Sequence, residues 1–164
     1  MFMERTLVLI KPDGVQRGLI GEVISRFEKA GLKVIGLKMV QVNEEFARKH
    51  YTEDIELRRG ARVRKLLTDM LSQHPVVAIA LEGIGAVEIV RKIVGSTEPK
   101  AALPGTIRGD FAHVSYGHAD ASEKVVYNIV HASGDAKDAS HEVPLWFSES
   151  ELVNYKTVHE HHVF

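Results

Sequence analysis

Asn128-Ile129-Val130-His131-Ala132-Ser133 reads as the end of a short apolar strand that carries a histidine to its C-terminal edge, ahead of small residues and a predicted helix. Such a strand needs partners, and three more are legible. Thr6-Leu7-Val8-Leu9-Ile10 is a continuous apolar run stopped by Lys11-Pro12-Asp13-Gly14, the mark of a buried central strand with a lysine at its end. Leu32 to Val42 and Val76 to Leu81 supply two others, and Val125 to Val130 forms the fourth.

Between these runs the apolar spacing becomes helical. Ile20, Val23, Ile24 and Phe27 predict a helix over about 19 to 30, closed by Gly31. Asn43 followed by Glu44 and Glu45 opens a short helix that ends near His50-Tyr51. Arg58 to Ser72 reads as one helix, basic at its start and weakened by Gly60, with Leu66, Leu67, Met70 and Leu71 on its buried side. Gly85 to Val94 is helical up to Gly95, Asp135 to His141 begins a helix stopped near Pro144, and Ser148-Glu149-Ser150-Glu151 is a capping box for a last short helix. Ser96 to Gly117 has no sustained period, and an ordered loop of that length usually carries function. The order predicts an α+β sandwich of helices on a four-stranded sheet, within a single domain spanning 1–164.

Composition narrows the chemistry. A net charge of -1 with 26% charged residues gives no bulk attraction to nucleic acid or to a membrane surface, so any anion site must be local. The absence of cysteine removes disulfides, thiolate catalysis and cysteine-bound metals, and fits a reducing cytosol. No apolar signal core precedes the first strand and no window approaches the ~18 apolar residues of a membrane span, so a cytoplasmic protein is expected.

No Gly-x-x-x-x-Gly-Lys-Ser/Thr loop is present, and Gly83-Ile84-Gly85 lacks the third glycine of a dinucleotide fingerprint. Phosphate, if bound, must be held by side chains. Candidates are Lys11, Arg91 and Thr97 around the Gly95 turn, and Arg108 in Pro104-Gly105-Thr106-Ile107-Arg108-Gly109-Asp110-Phe111; taken singly, each is an ordinary surface residue. Among nine histidines, His50, His74, His113, His118 and His141 have no distinctive context, and His159, His161 and His162 lie in the C-terminal tail. His131 differs because Ala132-Ser133-Gly134 leaves space in front of its ring, although spacing alone leaves it balanced between a catalytic and an ordinary histidine.

Lys11-Pro12-Asp13-Gly14-Val15-Gln16-Arg17-Gly18, the run from Pro104 to Phe111, the run from Asn128 to Ser133, and Leu145-Trp146-Phe147 together closely resemble nucleoside diphosphate kinase, over nearly the whole chain from Arg5 to about Tyr155. The resemblance implies a ferredoxin-like fold with a four-stranded antiparallel sheet. It also implies ping-pong transfer of the terminal phosphate of a nucleoside triphosphate, usually ATP, to a nucleoside diphosphate through a phosphohistidine. His131 matches the phosphorylated histidine, Glu142 its supporting carboxylate and Ser133 the nearby hydroxyl. Lys11, Tyr51, Arg91, Thr97, Arg108 and Asn128 match nucleotide-contacting positions. By that match Arg91, Thr97 and Arg108 would face the phosphates, and Lys11 and Asn128 the sugar hydroxyls and the transferred group. Mg²⁺ would be held mainly by the nucleotide phosphates rather than by protein ligands, and members assemble as hexamers or sometimes tetramers.

Three departures accompany the match. Val63 stands near the position of a base-stacking aromatic, Gly134 follows Ser133 where an acidic residue is common, and an extended loop at about 112–127 resembles the longer archaeal form. That loop, with His113, Tyr116 and His118, is expected to pack on the surface. A different class of reading is a catalytically weak oligomeric relative that binds nucleotide or nucleic acid through the basic Arg58 to Lys65 segment.

Overall fold

The computed structural model describes residues 3–163. Its centre is β1 (Met3–Ile10), whose apolar run alternates between two cores: Val8 and Ile10 face one side of the sheet, Leu7 and Leu9 the other. β2 (Lys33–Val40), β3 (Val76–Ile84) and β4 (Val130–Ala132) complete an antiparallel sheet in the order β2-β3-β1-β4, the ferredoxin-like arrangement.

The first core is closed by α2 (Ile20–Lys29), through Val23 and Phe27, and by α6 (Ala86–Val94), through Ala86, Val90 and Val94. The second is closed by α3 (Glu44–His50), α5 (Ala61–Gln73) and α9 (Ala136–Trp146), which contribute Ala47, Leu71, Val143 and Trp146. No described helix is long and apolar enough to cross a membrane.

Several expected boundaries move, each for a local reason. Lys11 to Gly14 is not simply a turn: it leads into the short helix α1 (Pro12–Gln16), where proline occupies the first position that needs no N–H partner. The helix expected over Arg58 to Ser72 is α5, which starts only at Ala61; Arg58 and Arg59 end a separate helix, α4 (Glu53–Arg59), that was not expected, and Gly60 at φ 89° and ψ 155° breaks the helical path between the two. Ser96 to Gly117 is not structureless; it holds a 3₁₀ turn at Pro99–Ala101, α7 (Ile107–Phe111) capped by the Thr106 hydroxyl, and the start of α8 (Tyr116–Ala121). Pro144 does not stop α9, since Val143 and Trp146 are buried beyond and beside it and hold the final turn to the core.

The fourth strand differs most. Only Val130–Ala132 pairs with β1, and the residues from Val125 to Ile129 are not strand. Ile129 has φ 72°, and the Val130 N–H donates to the Asn128 carbonyl at 2.8 Å, which closes a γ-turn on a β-branched residue. Strain of this kind, roughly 1–3 kcal/mol, persists only where the surroundings impose it. Here the Asp13 carboxylate accepts from the Ile129 N–H at 2.9 Å and the Ile129 carbonyl accepts from the Lys11 N–H at 2.8 Å. Gly14 is required beneath the turn, because a Cβ there would lie 3.0 Å from the Ile129 carbonyl oxygen. The γ-turn separates Asn128 from β4, and the sheet's two-residue period then puts Val130 and Ala132 in the first core and His131 on the opposite face, toward α9.

Candidate active site

A cavity of about 710 Å³ opens between β4, α3 to α5, α8 and α9. Lys11, Tyr51, Arg91, Thr97, Arg108, Asn128, His131 and Glu142 all line it, so residues up to 131 positions apart in sequence meet at one place. Ser133 stands behind them, fully buried.

The His131 side chain keeps about 20% of its exposure and faces the cavity. Its Nε2–H donates to Glu142, 2.9 and 3.0 Å from the two carboxylate oxygens. The Ser133 hydroxyl donates to Glu142 at 2.6 Å and accepts from the Leu7 N–H at 3.2 Å, which ties the carboxylate to the central strand. Burial alone would raise the Glu142 pKa, but the His131 ring, the hydrogen bonds from His131 and Ser133, and His50 hold it at about 2. Glu142 is therefore an acceptor only, which puts the ring proton of neutral His131 on Nε2 and leaves an unprotonated Nδ1.

Lys11 is buried and donates to the Asn128 side-chain oxygen at 2.7 Å, while the Asn128 amide donates to the Thr97 carbonyl at 2.8 Å. Burial first, and the Arg108 charge second, lower the Lys11 pKa to about 8. Arg108 is buried as well. It donates to the carbonyls of Gly95, Asn128 and Val130 at 3.0, 3.3 and 2.8 Å, leaving two of the five guanidinium N–H groups for a ligand. Burial, then Arg91, lowers its pKa to about 10, so it remains charged at neutral pH. A half-sequestered imidazole thus shares the cavity with cations, Arg108 fixed by backbone carbonyls and Lys11 by the Asn128 side chain, an arrangement suited to a polyanion that carries an electrophilic phosphorus.

The residues from Tyr116 to Val126 do not lie apart on the surface, as expected for the extended loop, but form one wall of the cavity, with Ala119 buried. Arg59 sits 5.7 Å over the Tyr116 ring, and Arg62 pairs with Glu123 at 3.2 Å, joining α4 and α5 to this wall. Val63 lines the cavity, as do the aliphatic Leu66, Val125 and Val126. His50, read from sequence as an ordinary histidine, is buried against His131 with ring centroids 4.5 Å apart. The signal for it was its place on the face of α3 that also carries Phe46 and Ala47.

The basic segment expected for a nucleic-acid binder is largely neutralised. Arg58 pairs with Asp54, Arg62 with Glu123, Arg64 with Glu56 and Lys65 with Asp69.

Comparison with known proteins agrees with the geometry. Residues 4–152 match the sequence model of the family described as nucleoside diphosphate kinase. The nucleoside diphosphate kinase of Borreliella burgdorferi is 46% identical over 157 residues, 95% of this chain and 94% of its own. That of Pyrococcus furiosus is 48% identical over 153 residues, 93% and 88% of the two chains. Among solved structures, a transition state mimic of the Borrelia burgdorferi enzyme with bound vanadate and ADP superposes with a TM-score of 0.95 at 45% identity, covering 98% of this chain and 96% of that one. An NDP kinase from Pyrobaculum aerophilum gives 0.86 at 36% identity, covering 93% and 100%. The chain belongs to the nucleoside diphosphate kinase family, enzymes that transfer a phosphoryl group from a nucleoside triphosphate to a nucleoside diphosphate.

Proposed function

We propose that Nδ1 of His131 takes the terminal phosphoryl group of a nucleoside triphosphate, mainly ATP, and passes it to a nucleoside diphosphate at the same site. The observation that carries this reading is the commitment of Nε2 to Glu142, because it leaves Nδ1 with a free lone pair on a ring that lines the cavity. The N–P bond forms as the P–O bond to the departing diphosphate breaks, and that diphosphate leaves with the electron pair. No proton moves. The positive charge that develops on the ring is met by Glu142, which Ser133 steadies.

Lys11 and Asn128 position the transferred group and the sugar hydroxyls, and Tyr51, Arg91, Thr97 and Arg108 hold the nucleotide, the last three through its phosphates. A nucleotide polyphosphate carries several negative charges, which Mg²⁺ would offset. Among the described residues the one cluster with metal-ligand spacing is His50, His131 and Glu142, a nitrogen-rich set suited to zinc, and its carboxylate is already engaged. Mg²⁺ is therefore assigned to the nucleotide phosphates and not to protein ligands. The aliphatic side chains of Val63, Leu66, Val125 and Val126 in the cavity lining offer a base apolar contact without hydrogen-bond readout, which supports use of many bases.

A homo-oligomer is supported by an open sheet edge, and the resemblance favours a hexamer over a tetramer. The C-terminal segment covers the start of β2, where Val153 and Tyr155 donate to Ile35 and Val34, but Leu37 and Met39 farther along it are more than half exposed. A cysteine-free chain suits the cytoplasm.

The test is incubation with ATP labelled in its terminal phosphate and no acceptor. Acid-labile label on the wild type, its release by a nucleoside diphosphate, and its absence from His131→Ala with nucleotide still bound are the expected results. Label retained by His131→Ala would overturn the assignment.

A further inference from the structure

Two buried residues beside the nucleophile have no part in the chemistry above. His50 ends α3, and its ring meets His131 nearly perpendicularly, at 84°. Trp146, one turn beyond Glu142 on α9, donates its Nε1–H to His50 Nδ1 at 3.2 Å.

An indole N–H is a donor only, so it fixes which His50 nitrogen accepts. The ring proton must then sit on Nε2, and that atom is buried without a hydrogen-bond partner. Leaving a buried donor unpaired costs about 1–3 kcal/mol, so the tautomer is held against its own stability.

The alternative tautomer shows what is being avoided. His50 Nδ1 lies 3.9 Å from a Glu142 carboxylate oxygen. With a proton there, His50 would draw Glu142 toward itself and away from His131. Charging the ring would have the same effect, and burial, followed by the nearby His131, opposes it by lowering the His50 pKa to about 3.

We propose that His50 is a positioning residue for His131: its edge-to-face contact braces the nucleophilic ring, and Trp146, by fixing the His50 tautomer, reserves Glu142 for His131. Trp146 acts only through His50 and touches neither nucleotide nor phosphoryl group. This inference rests on the phosphohistidine reading, since it concerns how fast that group forms.

The experiment separates chemistry from binding. The first-order rate of His131 phosphorylation at saturating ATP, and the dissociation constant for ADP, are measured for wild type, His50→Ala, Trp146→Phe and the double variant His50→Phe/Trp146→Phe. Removing the brace, or freeing the tautomer, should slow phosphorylation by about 10- to 100-fold, the scale of a small misplacement of a reacting group. The ADP constant should stay within roughly twofold, since uniform binding is untouched. Phenylalanine at 50 keeps an aromatic brace and has no proton to offer Glu142. The double variant should therefore be faster than Trp146→Phe alone, by roughly threefold or more, a reversal that independent structural damage does not produce.

Wild-type phosphorylation rates in His50→Ala overturn the proposal, as does a parallel loss of ADP binding. A double variant no faster than Trp146→Phe overturns the tautomer argument, and that pair decides the matter if His50→Ala does not fold. Failure of the wild type to label on His131 would instead sink the phosphohistidine reading itself, so the two failures are distinguishable.

Discussion

Glu142 shows how neighbours outweigh burial at a single residue. Its carboxylate is nearly sequestered, yet remains ionised because His131 and Ser133 donate to it. Glu142→Gln keeps the shape and removes the charge. A charge-assisted hydrogen bond is worth about 1.5–3 kcal/mol, so turnover should fall roughly 10- to 150-fold with little change in nucleotide affinity. Steady-state kinetics beside a direct binding measurement checks both halves. Lys11 gives a pH signature. Its folded pKa of about 8 lies below the 10.5 of the unfolded chain, so between those values the unfolded chain binds the extra proton and stability from this group rises with pH. Activity runs the other way: the free enzyme loses a cation above about pH 8, so kcat/KM should decline there. Lys11→Met should lack both trends, in urea unfolding and in the pH profile.

At the scale of elements, the helix pair α4 and α5 walls the cavity, and its bend depends on Gly60. A Cβ at Gly60 meets nothing within 4 Å, so Gly60→Ala adds only backbone strain at φ 89°. A loss of about 1–3 kcal/mol of stability is expected, with KM raised more than kcat is lowered, because the wall shifts while His131 and Glu142 stay in place. The same position explains what could be read from sequence. Spacing placed β1, α2, α3 and α6 closely, because apolar periodicity reports which face is buried. It misses α4, which buries no residue, and runs its last two residues into α5, because Leu66 to Leu71 keep the helical period while the break at Gly60 depends on a torsion angle. It extended the fourth strand back to Val125 for a similar reason: an isoleucine in a γ-turn is held by Asp13, Lys11 and Gly14, more than a hundred positions away, and no local pattern records that. Among candidate site residues, Lys11, Arg91, Thr97, Arg108 and His131 are marked by loops and strand ends and Asn128 by the resemblance; His50 shows in the sequence only as part of the buried face of α3, and its contact with His131 and the α8 wall emerge only when the chain closes on itself.

The whole molecule is built so that a strained crossing brings β1 and β4 together beneath one cavity. Cations enter it from the end of β1, the last turn of α6 and α7, and the nucleophile comes from the sheet itself. The open half of β2 belongs to this scale too. Replacing Leu37 and Met39 together by glutamate should shift the protein toward smaller species in sedimentation velocity, because charge on an exposed edge opposes pairing with a second copy. An unchanged sedimentation coefficient would move the interface elsewhere. The central claim concerns one atom, and phosphorus-nitrogen NMR of enzyme phosphorylated by ATP reads that atom directly. The account predicts phosphorus bound to Nδ1 of His131; phosphorus on Nε2, or on any other residue, would contradict it.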